Sequence, residues 1–442
     1  MRISIIGTGY VGLVTGASLA EKGHDVICVD IDPDRVAALN AARAPIFELG
    51  LDELLTRNVG RRLSATTDLA DAVRRSDLTF IAVGTPFDGA TIDLTAVRRA
   101  SEQVGQVLRD LSRYHVVVVK STVVPGTTDG CVLRALESAS GKQAGRDFGI
   151  GMNPEFLSEG EAVHDFMFPD RIVIGGIDER SIAVIDEVYR PFPDAPRIRT
   201  NTRTAEMIKY ASNAILATLI SFSNEMANLA SALGGIDSRD VMRGVHLSQY
   251  FTSRDGENLP PITAFLRAGC GYGGSCLPKD TKALVAHGRQ AGVEMPLLTA
   301  VIRTNDTQPD RVVALLEKHW QDLAGVRVAV LGLAFKPGTS DVRESPAFPI
   351  MRRLIDRGAV VCAYDPVAVG EAEAVFRDPA VHYSRDLASA IDRVDAIVVV
   401  TPWDDFRSVP AAVRERAPRT VLVDCRGAFE RNCVPRYEAI GY

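Results

Sequence analysis

Two Rossmann-like doubly wound α/β domains, joined by a long central helix and a helical domain, are the fold this sequence predicts. Three observations predict it. Arg2–Ile6 is an apolar run followed at once by Gly7-Thr8-Gly9-Tyr10-Val11-Gly12, a helical stretch to about Lys22, and a second apolar run, Val26–Asp30, that ends in an acid. In the last third, Val326–Leu331 precedes Gly332, Val360–Tyr364 precedes Asp365, and Ala396–Val400 precedes Thr401-Pro402. That order of strand-Gly, strand-Asp and strand-Thr-Pro echoes the first half and reads as a second domain of the same kind. Between the two, Arg203–Leu233 contains neither Gly nor Pro and stops at Gly234-Gly235. The expected divisions are residues 1–200, 201–318 and 319–442.

The chain has 442 residues, 46% hydrophobic and 24% charged, the balance of a soluble globular protein. A net charge of −6 argues against a general nucleic-acid binder, while leaving room for a local basic pocket that takes an anionic small molecule. Seven scattered cysteines include no Cys-x-x-Cys pair, so neither a metal site nor a disulfide framework is expected, and a reducing cytoplasm fits best. No apolar run approaches membrane-spanning length. The chain opens directly on a strand-like run, so no signal peptide is expected.

The N-terminal segment supplies the whole context that a dinucleotide fingerprint requires: strand, glycine-rich turn, helix, strand and acid. Gly7 permits the tight turn, Gly9 lets the backbone approach a pyrophosphate, and Gly12 allows close packing of helix on strand. Asp30 is placed to accept hydrogen bonds from a ribose, and its charge repels a 2′-phosphate, so NAD is expected over NADP. Further strands end in Gly84-Thr85-Pro86 and in Lys120-Ser121-Thr122. Ligands of open α/β sheets lie beyond the carboxyl ends of strands, which places Thr85, Ser121 and Thr122 beside the nicotinamide half; ordinary strand-to-helix turns favour the same residue types.

Phe148–Met152 reads as a strand, and Asn153-Pro154 after it as the start of a helix. Glu155 and Glu159, four apart, then share one face, either for chemistry or as complements to the helix dipole. On the long helix, Lys209 and Asn213 are also four apart. A lysine and an asparagine so placed suit a developing oxyanion, and equally suit an ordinary solvated helix surface. At about 1.5 Å per residue this helix spans roughly 45 Å, long enough for a spine between domains and a subunit interface. Tyr250–Pro261 is polar and turn-rich, a surface loop.

Gly271-Tyr272-Gly273-Gly274-Ser275-Cys276-Leu277-Pro278-Lys279-Asp280 is the most chemically pointed stretch. Pro278 suits the first turn of a helix, which puts Cys276 at a helix N-terminus. The dipole there, with Lys279, favours the thiolate. Asp280 lies one turn on. A buried cysteine after a glycine-rich turn is the bland alternative. Helices follow over 281–291 and 297–318, the second expected to break near Pro309. The C-terminal domain lacks the glycine fingerprint and offers Lys336, Arg343 and Arg426 at strand ends, cations suited to phosphate-linked sugars.

Taken together, these motifs resemble the UDP-glucose/GDP-mannose dehydrogenase family nearly end to end. The resemblance rests on Gly7–Gly12, Val83–Pro86, Lys120–Thr122, Asn153–Gly160, Thr204–Tyr210 with Asn213, Gly271–Asp280, and Gly332–Lys336 with Asp341–Pro346. It implies oxidation of a sugar CH₂OH to a carboxylate, with two NAD consumed and an aldehyde held on the enzyme. On this chain Lys209, Asn213 and a water held by Thr122 and Asp280 would assist the first oxidation. Cys276 would form a thiohemiacetal and then a thioester, and Glu155 would be the base for water attack. The resemblance places Gly7, Gly9, Tyr10, Val11, Gly12, Asp30 and Arg35 at the cofactor, with Thr85, Thr122, Glu159, Lys279 and Arg343. It places Glu155, Phe156, Leu157, Lys209 and Asn213 at the sugar, with Phe265, Leu266, Gly273, Phe335, Lys336 and Arg426 on the nucleotide sugar. It also implies a homodimer or larger homo-oligomer.

Two departures bear on the substrate. The Arg-Ile-Gly segment of many UDP-glucose enzymes is missing from Leu247–Pro261, leaving Arg254 and Arg267 as substitutes. Leu277 stands where phenylalanine is frequent in UDP-glucose enzymes and leucine is familiar in GDP-mannose enzymes. The glycine pattern Gly271–Gly274 matches the UDP-glucose enzymes better, and Ser275 stands where N-acetylhexosamine oxidisers often carry histidine, so UDP-glucose is the expected substrate. Two other classes compete. A two-electron hydroxyacid dehydrogenase has no need of the thiol loop or the C-terminal domain. A non-catalytic nucleotide-sugar binder has no use for Cys276.

Overall fold

Continuous apolar runs build the sheets. Val116–Val119 is four valines and Ala396–Val399 is nearly as apolar, and every residue of both is buried, as strands covered on both faces require. The computed structural model describes residues 1–248, 251 and 260–442. These fall into two compact units, Met1–Ser212 and Asn213–Tyr442.

In the first unit the strands are β1 (Arg2–Ile6), β2 (Asp25–Val29), β3 (Leu63–Thr66), β4 (Leu78–Ile81), β5 (Val116–Val119), β6 (Gly149–Met152), β7 (Ile172–Gly176) and β8 (Arg197–Thr200). They form one sheet in the order β3-β2-β1-β4-β5-β6-β7-β8, parallel except for the β6–β7 pair. The order reverses direction beside β1, the switch point at which such sheets bind ligands. Ile6 lies level with Val29 on one side and Ile81 on the other, so the loops after these strands open on one edge. Ile3, Ile5 and Phe80 pack one face of the sheet, and Ile6, Val117 and Val119 the other.

In the second unit β9 (Arg327–Leu331), β10 (Val360–Tyr364), β11 (Val381–Tyr383), β12 (Ala396–Val399), β13 (Val421–Asp424) and β14 (Tyr437–Ala439) form a wholly parallel sheet. Its order, β11-β10-β9-β12-β13-β14, repeats that of the first six strands. The echo read from the sequence is therefore an echo of topology.

The long helix runs over Thr202–Leu233, 32 residues, and two glycines with φ of +69° end it. Two expectations fail. Asn153–Ser158 is not helical; the next helix begins only at Ala162. The Asn153 side chain is engaged elsewhere, donating to Val173 O and accepting from Lys120, so it caps nothing and Glu155 and Glu159 share no helix face. The break expected near Pro309 is also absent: Pro296–Glu317 is one helix with Pro309 inside it. Most of the loop expected over Tyr250–Pro261, with Arg254 in it, lies outside the described residues.

Candidate active site

The fingerprint glycines each meet a physical requirement. Gly7 has φ of +97°, and a Cβ there would lie 2.7 Å from Ala82 O. A Cβ on Gly12 would strike Gly7 O, whereas one on Gly9 meets nothing within 4 Å, an open approach to the N-terminus of the helix Tyr10–Glu21. Val11 sits half-buried in that helix's first turn. The Asp30 carboxylate accepts from Thr8 N at 2.8 Å, Thr8 Oγ1 at 2.5 Å and Asp32 N at 3.1 Å. Burial opposes its ionisation, but these bonds and Arg35 outweigh burial and hold its pKa below the ordinary value. The turn thus fits a dinucleotide, with the backbone N–H groups for the pyrophosphate and Asp30 for the ribose. Arg35 reaches back to Thr8 O at 3.4 Å.

At the ends of β4 and β5, Thr85 Oγ1 donates to Thr122 O at 2.8 Å and Ser121 Oγ to Val83 O at 2.7 Å, tying the two turns together. Tyr10 and Glu48 reach the Glu159 segment: the Gly160 N–H is 2.8 Å from the Tyr10 hydroxyl and 2.6 Å from the Glu48 carboxylate, which also accepts from Ala162 N at 2.8 Å. No pattern in the sequence marks Glu48, one acid among many until its burial is known.

A second cluster in the first unit joins lysine to carboxylate. Lys209 Nζ lies 3.0 Å from Glu155 Oε1, with the two side chains 4% and 5% exposed. Glu155 Oε2 accepts from Leu157 N at 2.6 Å. Burial alone would raise the Glu155 pKa; Lys209 and the Leu157 N–H hold it below the ordinary value. The Phe156 ring lies beneath the Arg171 guanidinium, 3.8 Å from its centroid, and 5.5 Å from Lys209 Nζ.

In the second unit Cys276 is the N-cap of the helix Leu277–Gln290, as Pro278 predicted. Its Sγ lies 3.5 Å from Ser275 Oγ. Asp280, nearly inaccessible, accepts from Asn213 Nδ2 at 2.6 Å and from Lys279 Nζ at 2.5 Å. The glycines of the thiol loop are tightly covered. Gly274 has φ of +86°, and a Cβ there would meet the Phe335 ring at 2.8 Å; one on Gly273 would strike Glu344 O. Asn305 clamps the loop like a peptide group, accepting from Tyr272 N at 2.7 Å and donating to Tyr272 O at 3.1 Å. Nothing in the sequence marked this asparagine, since a lone Asn in a helix carries no pattern.

The C-terminal cations are spread around that loop. Lys336 lies 5.9 Å from the Phe335 ring centroid, and Arg426 Nε donates to Val400 O at 3.0 Å. Arg343 pairs with Asp341 at 2.6 Å, and its carbonyl accepts from Gly274 N at 2.9 Å. Phe265 is half-buried at the end of a short turn, and Leu266 beside it is buried. Asp365 occupies at the end of β10 the place that Asp30 follows at the end of β2, but its carboxylate is buried. It accepts from Leu333 N, Ala334 N, Val367 N, Ala368 N and Trp403 Nε1, all within 3.1 Å. The acid of the second repeat holds its own loop.

Comparison with known proteins agrees with this division of labour. Residues 1–193 match the NAD-binding domain model of the UDP-glucose/GDP-mannose dehydrogenase family, 203–307 its central domain and 329–431 its UDP-binding domain. The UDP-glucose 6-dehydrogenase AglM of Haloferax volcanii is 45% identical, with 100% of both chains covered. A GDP-mannose 6-dehydrogenase of Pseudomonas putida is 39% identical over 92% of this chain and 93% of its own. A UDP-glucose dehydrogenase structure from Pyrobaculum islandicum superposes with a TM-score of 0.91 at 41% identity, covering 100% of this chain and 97% of that one. The chain is a member of the UDP-glucose/GDP-mannose dehydrogenase family, an NAD-dependent nucleotide-sugar dehydrogenase.

Proposed function

We propose that the protein oxidises UDP-glucose to UDP-glucuronate by four electrons, through a covalent thioester on Cys276. The observation that carries this reading is the thiol itself, held at a helix N-terminus in a glycine-rich loop whose next turn presents Asp280 to Asn213. A two-electron alcohol oxidation needs no nucleophile. A second oxidation does, because hydride leaves an aldehyde carbon only after that carbon has become tetrahedral.

NAD, when bound, accepts the hydride of each oxidation. In the first, the alcohol proton passes through a water held by Thr122 to the Asp280 carboxylate, while Lys209 and Asn213 hold the oxygen as negative charge grows on it. The Cys276 thiolate then adds to the aldehyde carbon. Loss of the second hydride leaves a thioester. Water attacks the acyl carbon, its proton passes to Glu155, and the thiolate departs with the acid released. Gly7, Gly9, Tyr10, Val11, Gly12, Asp30, Arg35, Thr85, Glu159, Lys279 and Arg343 are assigned to the cofactor. Phe156, Leu157, Phe265, Leu266, Gly273, Phe335, Lys336 and Arg426 are assigned to the sugar and its diphosphate.

UDP-glucose is preferred over GDP-mannose by the Gly271–Gly274 pattern and by the higher identity to the UDP-glucose relative. The working arrangement is three domains, 1–200, 201–318 and 319–442, in a homodimer formed along the long helix. No helix among the described residues is long and apolar enough to cross a membrane, and a cytoplasmic location is proposed from the scattered cysteines, whose spacing includes no Cys-x-x-Cys pair. The test is a panel of nucleotide sugars with NAD, read by absorbance and by product analysis. UDP-glucose should be consumed fastest, with two NADH formed per sugar. Preference for GDP-mannose or an N-acetylhexosamine would move the substrate and keep the chemistry; one NADH per sugar would remove the chemistry.

A further inference from the structure

Lys120 follows β5 with 3% of its surface exposed. Its ammonium donates to Asn153 Oδ1 at 2.8 Å, to Asn153 O at 3.3 Å and to the Tyr189 hydroxyl at 3.5 Å. The Tyr189 hydroxyl spends its own proton on Asn153 Oδ1, which leaves its lone pairs to Lys120. Three acceptors around three N–H groups are the surroundings of a charged lysine; a neutral amine would turn a lone pair toward one of them and find no donor. The Phe80 and Phe166 rings, with centroids 5.9 Å and 6.0 Å away, close the seat.

Such a charge is expensive, and among the described residues no carboxylate forms a direct ion pair with it. The charged groups that act on it are Glu155, which favours its ammonium, and Lys209, which opposes it. Burial is the largest influence and brings Lys120 down to about 7. Tyr189, the other titratable group in contact, is held protonated by burial. One buried carboxylate thus stands under the influence of two buried lysines, of which only Lys209 touches it.

We propose that Lys120 is a positioning residue for acid release: it seats Asn153, two residues before Glu155, and supplies the second positive charge that keeps Glu155 ionised when the charge of Lys209 is drawn to the sugar oxygen. This rests on the thioester reading above. The two lysines repel, so loss of charge at Lys209 tightens the hold of Lys120 on its own proton. Glu155 then stays a carboxylate, able to take the proton of the attacking water. The division leaves Lys209 for the substrate and Lys120 fixed behind it.

The test uses the full-length enzyme with UDP-glucose and NAD. Lys120→Met should keep the rapid first NADH and lower the steady-state rate by roughly 10–100-fold, since one proton-transfer step is impaired. The acid limb of its kcat profile should move up by about one pH unit, because the carboxylate has lost a cation. Lys120→Arg, which keeps the charge, should leave that limb in place. A purely structural role would lower all phases and NAD affinity together with the limb unmoved, and that result would overturn the proposal. If Lys120→Met does not fold, Lys120→Gln takes its place: a limb moved up by about one pH unit supports the proposal and an unmoved limb overturns it. A wild type that forms one NADH per sugar would instead overturn the thioester reading, and the acid-release role with it.

Discussion

The Lys209 ammonium meets the Glu155 carboxylate at 3.0 Å in a place that water barely reaches. A buried pair of this kind contributes little net stability, because desolvation offsets most of the attraction, but removing one partner leaves an uncompensated charge. What the pair secures is a protonation state. Burial alone would drive Glu155 toward its neutral acid; Lys209 and the Leu157 N–H reverse that. Glu155→Gln removes the proposed base and keeps the shape. We expect acid release to slow by about 100-fold or more while the first NADH forms at nearly the wild-type rate. Rapid-mix absorbance checks this, and equal slowing of both phases would place Glu155 in the first oxidation instead.

Cofactor preference should follow Asp30. Its carboxylate is fixed by the two Thr8 donors and the Asp32 N–H, so it cannot turn away from a 2′-phosphate. We expect kcat/KM for NAD to exceed that for NADP by at least about 100-fold, the repulsion of two unscreened charges at close range. Asp30→Asn should erode the ratio mainly by improving NADP. Comparable wild-type values for the two cofactors would remove the ribose assignment.

Ile215, Phe222, Leu229 and Leu233 are large apolar residues of the long helix that remain exposed, at spacings of seven, seven and four. Those spacings place them on one stripe. An exposed apolar stripe of this kind suits the subunit interface proposed above. We expect a homodimer at micromolar concentration and a monomer, or an aggregating monomer, for Phe222→Glu. Light scattering decides, and a wild-type monomer would reject the interface.

Stability against acid should depend on His115. Its ring is buried between Thr79 Oγ1 at 2.8 Å and Ser76 O at 3.1 Å, and burial brings its pKa from 6.5 to about 4. The unfolded chain takes up the proton that the native state refuses, so this residue lowers stability as pH falls from 6.5 toward about 4. Glu206 has the opposite sign: burial lifts it from 4.5 to about 7, so the native state gains a proton first and is favoured by acid over that window. Thermal melts of wild type and His115→Gln between pH 7 and 5 should differ in slope, the variant losing less. Parallel slopes would mean that His115 is charged in the native state.

Most of the frame was legible because the strands that build it are buried on both faces and read as unbroken apolar runs, and because glycine, aspartate and threonine punctuate their ends. The strands that escaped are different in kind. Leu63–Thr66, Arg197–Thr200, Val381–Tyr383 and Tyr437–Ala439 are three or four residues long at or near sheet edges, where burial imposes no pattern; Ile172–Gly176 is an apolar run but ends in glycines that read as a turn. Spacing put Cys276 at a helix N-terminus and Asp280, Lys209 and Asn213 on helices, as they are. It misread Glu155, because the side chain of Asn153 was assumed to cap when it instead serves Lys120 and Val173. Glu48 and Lys120 in the first unit and Asn305 in the second are held by contacts distant in sequence, which no local pattern records.

The thiol carries the most discriminating prediction. If Cys276 bears the acyl group, wild type should form two NADH per sugar and release no free aldehyde. Cys276→Ala should permit slow first-step chemistry and form no acid through a thioester. Cys276→Ser should add to the aldehyde less readily, and its ester should accumulate, because an alkoxide leaves less easily than a thiolate. Intact mass spectrometry would then find the chain heavier by the acylated sugar nucleotide, on the peptide that contains residue 276. Alkylation should inactivate the wild type, and NAD or nucleotide sugar should slow it; since Cys131, Cys362 and Cys433 are as accessible as Cys276, the loss of activity should follow modification of the peptide that contains residue 276. Unimpaired acid formation by Cys276→Ala would eliminate the covalent route, whereas one NADH per sugar in the wild type would leave the two-electron alternative standing.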